Sequence, residues 1–481
     1  MAPRRIGTSV AILALLLLGL PGHVTHGADP ALLSTPVSDG FQQVGHNPLL
    51  GRGMNAAIAL HDGYVYVGSR TDASAAHESP GVLVVDVRDP AAPSVVGQIG
   101  PPNAGNSGES SRELRVWPQQ DLLAVLNIAC DVTTHACSSA SVVPRIDFYD
   151  ISTPAAPVKL GSYRPSAPPH EMFLWTDGDD RALLYLSTWK TAAGGADLIV
   201  TDISKARAGV FTELATYNGN ALFDPATRSA DVIRLHSVGL SPDGTRAHVA
   251  YQGGGMFELD TSDLALGMAN PVVRQLTPHG SQPRWGNPGA HSGVEVPAHS
   301  NLVLTTDEVY GNRPGGGFQS RGCPWGWVRL IDTSAPATPV VISEYRSAQN
   351  TTQYCEGLDG RNPLNTWYTS YSAHNPTLVE DLAFVTWHSA GLHAIDLADP
   401  RAPKRAGLFI PTPEQDITTE DPALSAGLPK TVLWSYPIIS GGLIYVIDVR
   451  NGLYILRYTG PRAAVVADVE FLEGNSNLGT R

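Results

Sequence analysis

The sequence is poor in charged residues and cysteine, and it contains only one long apolar run. Of its 481 residues 16% are charged, below the usual quarter, whereas 48 Gly and 38 Pro make turn-forming residues abundant. This composition excludes Lys/Glu-rich helical bundles, and a hydrophobic content of 42% excludes a disordered chain. The formal charge of -13 argues against nucleic acid as a partner, because such binding needs a basic face. An all-β protein with many turns fits best.

The apolar run lies at the N terminus and has the layout of a secretory signal peptide. Arg4 and Arg5 precede the apolar residues 10–20, and short residues follow up to Gly27. The run is too short to cross a bilayer, and no later segment reaches about 18 apolar residues. We therefore expect cleavage after residue 27, no membrane span, and a protein that is secreted, periplasmic or extracellular. An uncleaved N-terminal anchor is the alternative.

Four cysteines in an exported protein predict two disulfide bonds. Cys130 and Cys137 are seven residues apart between two strand-like runs, which leaves Cys323 to pair with Cys355. The sequence has no CxxC pair, so a zinc site on cysteine is not expected. It also lacks GxSxG, HExxH and a phosphate-binding loop, so we expect no nucleotide cofactor.

A recurring pattern divides most of the chain into seven units. In its clearest form, VLVVDVRDPAAPSVVGQI (82–99), a β run ends in Asp and is followed by a Pro-containing turn and a second β run. Two further strand-like runs precede each copy, so the pattern predicts an all-β, seven-bladed propeller of four-stranded antiparallel blades over residues 41–460. The Asp is expected to accept backbone N–H bonds in the turn. The residues that end the seven β runs, 52 to 72 positions apart, are Asp86, Asp150, Asp202, Asp260, Asp332, Asp396 and Arg457.

Ring closure and family resemblance follow from the ends of this repeat. The strand-like FQQVGHNP (41–48) has no partner of its own, so we expect it to complete the last blade and cover its open edge, after a linker over 28–40. The C-terminal 463–474, part of a strand or tail over 461–481, competes for that place. The D-x-x-x-P-x-x-P copies resemble the LVIVD-repeat family of exported β-propellers, which implies the fold but no particular reaction.

The inner strands of four consecutive blades have a histidine at the same position near their start. Equivalent positions converge on the propeller axis, at the face that carries the long connections, and imidazole suits iron, copper and zinc. The alignment therefore predicts one transition-metal ion at the channel mouth; a water-filled polar channel and a metal-free site for an organic ligand are the alternatives. Two further blades place Asn55 and Arg112 there, and we predict that these bind substrate. The four aligned histidines, in PHEMFLW, LHSVGL, AHSGVEV and AHNPTLV, are His170, His236, His291 and His374.

Other polar residues near these positions are given structural roles. Glu171 is expected to bond the adjacent blade, because neighbouring residues of a strand point to opposite faces. Among the remaining histidines, His388 is expected to be able to approach the mouth. His61, His248 and His299 are interpreted as surface or packing residues.

Two functions of different classes are compatible with this pattern. The first is a metal-dependent enzyme, oxidoreductase-like, that acts on a small molecule; the placement of its histidines is similar to that in carotenoid oxygenases. The second is a binding scaffold that recognises a surface partner and holds only water in a polar channel. A monomer is expected in both cases.

Overall fold

The structure, a computed structural model, describes most of the chain between residues 35 and 479. The predicted signal peptide, Cys130, Cys137, Cys323 and the side chain of Cys355 lie outside the described residues, so the two disulfides stay predictions; the described part contains no disulfide. No helix in that part is long and apolar enough to cross a membrane. The residues within 35–479 that are not described are 71–78, 101–108, 130–142, 179, 189–194, 228–232, 286–288, 309–323, 357–369 and 418–428.

The described residues form seven antiparallel sheets, which confirms the seven-bladed propeller. β1 (Val37–Asp39) and β2 (Phe41–Asn47) precede the first blade. Blades 1 to 4 contain, four strands each, β3 (Asn55–His61), β4 (Tyr64–Ser69), β5 (Val82–Asp86), β6 (Ser94–Ile99), β7 (Glu109–Trp117), β8 (Leu122–Ala129), β9 (Arg145–Asp150), β10 (Val158–Tyr163), β11 (Pro169–Thr176), β12 (Ala182–Thr188), β13 (Leu198–Asp202), β14 (Thr212–Tyr217), β15 (Arg234–Leu240), β16 (Arg246–Gln252), β17 (Gly255–Asp260) and β18 (Arg274–Gln275).

The last three blades follow the same order and receive extra strands from both chain ends. Short helices lie in the connections, at Ser262–Ala265, Thr352–Glu356 and Ala463–Ala467. The strands of blades 5 to 7, with the C-terminal β30, are β19 (Gly289–Glu295), β20 (Leu302–Glu308), β21 (Val328–Asp332), β22 (Val340–Tyr345), β23 (Pro376–Val379), β24 (Leu382–Thr386), β25 (Leu392–Asp396), β26 (Lys404–Ile410), β27 (Ile438–Ser440), β28 (Leu443–Asp448), β29 (Gly452–Tyr458) and β30 (Phe471–Glu473).

The N-terminal segment closes the ring, as predicted. β2 pairs antiparallel with β29 and becomes the outer strand of blade 7, with Phe41 opposite Tyr458. β1, within the segment predicted to be a linker, pairs with β26 at the outer edge of blade 6. The two strands thereby cover the outer edges of adjacent blades, which would otherwise expose unpaired backbone groups.

The C-terminal segment occupies the opposite, inner edge of blade 7. β30 pairs antiparallel with β27, so this blade has five strands. The following residues cross to blade 3, where Ser476 forms a parallel bridge with Leu174. There the amide of Asn477 accepts a hydrogen bond from the backbone N–H of Thr176 and donates to the carbonyl oxygens of Thr176 and Pro242. The tail therefore bridges the inner strands of two non-adjacent blades.

The turns that follow the third strands are held by their Asp residues, which confirms the role predicted for them. In six blades the Asp carboxylate accepts the N–H of the residue two positions later, at 2.8 to 3.0 Å. These residues are Asp86, Asp150, Asp202, Asp260, Asp332 and Asp396.

Apolar clusters between adjacent blades form the core, with one weak junction. Among the described residues, the apolar cluster between blades 4 and 5 has three buried members, Met256, Val303 and Ile331, with the partly buried Trp285 and Val341 packed against them. Beside it the buried imidazole of His248 on β16 lies 2.7 Å from a carboxylate oxygen of Glu258 on β17. An ionic network thus replaces part of the apolar contact at this junction.

Candidate metal centre at the channel mouth

The inner strands of blades 2 to 5 are irregular at the residues singled out from the sequence. The pairing register of β11 skips His170, that of β15 skips His236, and that of β19 skips His291. The register of β7 skips Arg112 in the same way. A bulge places two residues opposite one and reorients the side chain of the extra residue. The repeated bulge therefore aims one side chain per blade at the channel mouth.

Five imidazoles lie in a continuous row, named here the imidazole arc. Nε2 of His170 lies 3.1 Å from Nε2 of His236. The ring centroid of His291 lies 4.0 Å from that of His236 and 4.3 Å from that of His374. His388, which the sequence suggested could approach the mouth, follows at 5.1 Å from His374. All but His170 are at least 97% buried.

The carboxylate of Glu308 faces the middle of the imidazole arc. Its oxygens lie 3.7 Å from Nε2 of His236, 3.7 Å from Nε2 of His291 and 3.2 Å from Nε2 of His374. Sequence reasoning missed this residue because it ends the second strand of blade 5 and has no counterpart in the aligned inner strands. Three overlapping sets have candidate ligand atoms within 4.8 Å of one another: His170–Glu171–His236, His236–His291–Glu308 and Glu308–His374–His388.

Hydrogen bonds from neighbouring groups orient three of the rings. Nδ1 of His374 contacts the carbonyl oxygen of Trp434, which can only accept, so this nitrogen carries a proton. Nδ1 of His236 lies 2.9 Å from Oγ of Ser237, and Nδ1 of His388 lies 2.9 Å from a serine hydroxyl. In each ring Nδ1 contacts a protein group, and Nε2 of His236 also lies 3.1 Å from Nε2 of His170.

Two buried imidazoles face Glu308 with poorly satisfied ring nitrogens. Within the described part of the chain, no hydrogen bond of good geometry is formed by either ring nitrogen of His291 or by Nε2 of His374. The nearest acceptor to Nε2 of His374 is an oxygen of Glu308, at 3.2 Å. Buried polar atoms are nearly always hydrogen-bonded, so such atoms call for a specific explanation.

Glu171 lies closer to the site than strand alternation suggested. The Ser237 hydroxyl donates to its Oε2, which confirms the predicted bond to the adjacent blade. Its Oε1, however, lies 3.5 Å from Nδ1 of His236 and 3.9 Å from Nε2 of His291. The bulge at His170 explains this, because it interrupts the alternation of faces. Burial and the nearby Glu113 raise the pKa of Glu171 well above its usual value.

The electrostatics of the centre favour a cation. Burial lowers the pKa of His236 and His388 well below the usual value and that of His291 to about 3, so these rings are neutral at pH 7. Burial opposes ionisation of Glu308 as well, but the imidazoles around it hold its pKa well below the usual value. Glu308 thus places a carboxylate among imidazoles, three of which resist protonation because they are buried.

Two arginines and a tryptophan lie on the other side of the mouth. The indole of Trp434 stacks on His374 at 4.7 Å between ring centroids. The guanidinium carbons of Arg70 and Arg112 lie 4.9 and 5.5 Å from the same indole. Burial first, and then the positive charge of Arg112, lowers the pKa of His170 well below its usual value. Arg112 thus lies at the mouth, beside one end of the imidazole arc.

Asn55, the other residue predicted to bind substrate, is engaged within the protein. Its side-chain oxygen accepts a hydrogen bond from Nε of Arg52 at 2.8 Å. Its amide nitrogen donates to the carbonyl oxygens of Asp448 and Val449 at 3.3 and 3.4 Å. These contacts connect blade 1 to blade 7.

The histidines interpreted as structural form contacts outside the arc. His61 lies 3.0 Å from Asp121, and His248 belongs to the junction of blades 4 and 5. His393, for which the sequence suggested no role, contacts the Tyr345 hydroxyl at 3.0 Å within the core of blades 5 and 6.

Comparisons with known proteins do not assign a family. No family model matches the chain, so membership of the LVIVD-repeat family is not shown. A UPF0182 protein of Kineococcus radiotolerans is 27% identical over 217 residues, 40% of this chain. The chain spans 20% of the length of that relative.

Solved structures of similar shape have little sequence in common with the chain. A protein from Lactobacillus plantarum matches with a TM-score of 0.46 at 12% identity, over 77% of this chain and 86% of that one. A chain of a mitotic checkpoint complex matches with a TM-score of 0.44 at 11% identity, over 88% and 96%.

Proposed function

We propose that the channel mouth binds one transition-metal ion, iron, copper or zinc, and that the protein is a metal-dependent enzyme of oxidoreductase type acting outside the cytoplasm. The proposed ligands are His236, His291, His374 and Glu308. His170, predicted with the other three histidines, is grouped with Glu171 and His236 rather than with Glu308 and stays a predicted ligand at the end of the arc. The observation that carries this proposal is that Nε2 atoms of three buried imidazoles converge on the one carboxylate of Glu308, at 3.2 to 3.7 Å. A cation among these atoms would satisfy nitrogen lone pairs and carboxylate together.

The donor set agrees with this class of metal. Imidazole and carboxylate suit iron, copper and zinc, whereas magnesium and calcium prefer oxygen ligands alone. Metal-binding histidines usually donate their other N–H to a protein acceptor, which fixes the ring orientation. The Trp434 carbonyl meets this requirement for His374, and the Ser237 hydroxyl does so for His236.

A bound ion would supply Lewis acidity and, for iron or copper, electron transfer. The residues of the chain have the remaining tasks. Bulged inner strands hold the imidazoles in place, and burial keeps their nitrogens unprotonated. Glu171, whose pKa burial raises, accepts the hydrogen bond of the Ser237 hydroxyl that contacts His236.

Elemental analysis of the purified full chain, prepared without chelators, tests the proposal. We expect close to one ion per chain in the wild type. In His291→Ala and Glu308→Gln the affinity for the ion should fall at least about tenfold, which is the usual effect of losing a group that binds or orients a metal. His61→Ala is the matched control, because His61 pairs with Asp121 away from the arc. Circular dichroism should show unchanged β structure in all variants.

The scaffold hypothesis makes the opposite prediction. If the folded wild type contains no stoichiometric transition metal and takes up none when ions are added, the enzyme proposal is wrong. The mouth would then be a water-filled polar channel, and the function would be recognition of a partner.

A further inference from the structure

The channel mouth has two chemically different halves. The imidazole arc, from His170 to His388, comes from blades 3 to 6. The remaining arc is occupied by Trp434, which precedes blade 7, by Arg70, which follows β4 of blade 1, and by Arg112 of blade 2. The aromatic contacts place both guanidinium groups against one indole, and that indole stacks on His374. The arginine half is therefore in direct contact with the metal half.

The positive charges of this half extend to both ends of the imidazole arc. Arg112 acts electrostatically on His170 and Arg70 on His388, and Arg234, at the start of β15 in blade 4, also acts on His170. Guanidinium groups are thus gathered at the mouth of a chain whose formal charge is -13. Clefts lined by one sign of charge concentrate ligands of the opposite sign.

We propose that Arg70 and Arg112 bind the carboxylate of a small organic acid, which is the substrate of the proposed metal centre. Guanidinium groups present paired N–H donors that match the two oxygens of a carboxylate. Arg70 is 97% buried, so an ion pair there is weakly screened by solvent.

The inference rests on the proposed function, because it places the acid beside the same ion. Anion binding can nevertheless be measured without turnover. The assay is isothermal titration calorimetry on the protein as purified and after treatment with a chelator. Benzoate is the carboxylate probe, benzamide has the same shape without the charge, and inorganic phosphate is an oxyanion of another type. Arg70→Gln and Arg112→Gln are the test variants. Arg88→Gln is the control, because Arg88 is exposed and pairs with Asp86 at a Pro turn.

Benzoate is expected to bind the wild type with or without metal, whereas benzamide and phosphate bind at least about tenfold more weakly. Loss of a charge-assisted hydrogen bond corresponds to about a 10- to 100-fold weakening, which we expect in each test variant but not in Arg88→Gln. The metal content of both variants should equal that of the wild type.

Equal binding of benzoate and benzamide, tighter binding of phosphate, or undiminished binding of benzoate by the variant with both substitutions would overturn this inference. Benzoate binding in a protein that takes up no metal would refute the proposed metal centre while leaving the carboxylate site in place. A protein that binds metal but not benzoate would refute the carboxylate site and leave the proposed metal centre in place.

Discussion

Removing the buried charge at the junction of blades 4 and 5 should destabilise the propeller in a pH-dependent way. His248 is 99% buried and lies 2.7 Å from Glu258 and 3.9 Å from Glu295 of the next blade. Burial alone would lower the pKa of His248, but the two carboxylates outweigh it and raise the pKa from 6.5 to about 9. The folded protein therefore binds this proton more tightly than the unfolded chain.

The magnitude follows from the two pKa values. At about 1.4 kcal/mol for each pH unit between them, the protonated ring contributes about 3 kcal/mol to the free energy of unfolding. Because the folded pKa is the higher one, this stabilisation is complete below about pH 6.5 and is lost as the pH rises through 9. The junction is sensitive to the loss because its apolar cluster, among the described residues, has three buried members.

Urea unfolding followed by tryptophan fluorescence measures the effect. The difference in unfolding free energy between the wild type and His248→Gln should shrink by about 3 kcal/mol between about pH 6 and pH 10. Glu258→Gln, which removes the partner, should likewise show a weaker pH dependence than the wild type. His61→Gln, at a partly exposed pair, is the control. A difference between wild type and His248→Gln that does not change with pH would refute the reasoning.

Two further predictions concern the tail and the turns. A Cβ at Gly474 would lie 2.0 Å from the carbonyl oxygen of Pro376, so Gly474→Ala should displace the C-terminal tail and cost about 1–3 kcal/mol in urea unfolding. Gly161→Ala is the control, because a Cβ there meets nothing within 4 Å, and it should change the free energy of unfolding by less than about 0.5 kcal/mol. Equal losses in the two variants would contradict the close contact at Gly474. Asp332→Ala should lower the unfolding free energy by about 1 kcal/mol, because Ser334 loses the acceptor of its N–H at 2.9 Å. Asp332→Asn retains an acceptor and should restore most of this loss, so a value as low as that of the Ala variant would argue against the turn contact.

The amino-acid sequence by itself determined the number of blades, the closing strand and the turn chemistry. These features depend on interactions between residues close in sequence, or on a pattern copied in every blade. Asp332 and its five counterparts accept N–H groups two residues away, and β2 has the sequence pattern of an outer strand. The positions of His170, His236, His291 and His374 were visible for the same reason, because the repeat aligns them.

Only the tertiary structure decided which residues join those histidines. Glu308 belongs to a different strand and has no repeat counterpart, so nothing local predicts that it meets three imidazoles. Glu171 reaches the site through a bulge, which strict alternation along a strand cannot anticipate. Asn55, aligned with the histidines, is instead used between two blades. The contacts that complete the centre are long-range, and they arise from closure of the ring.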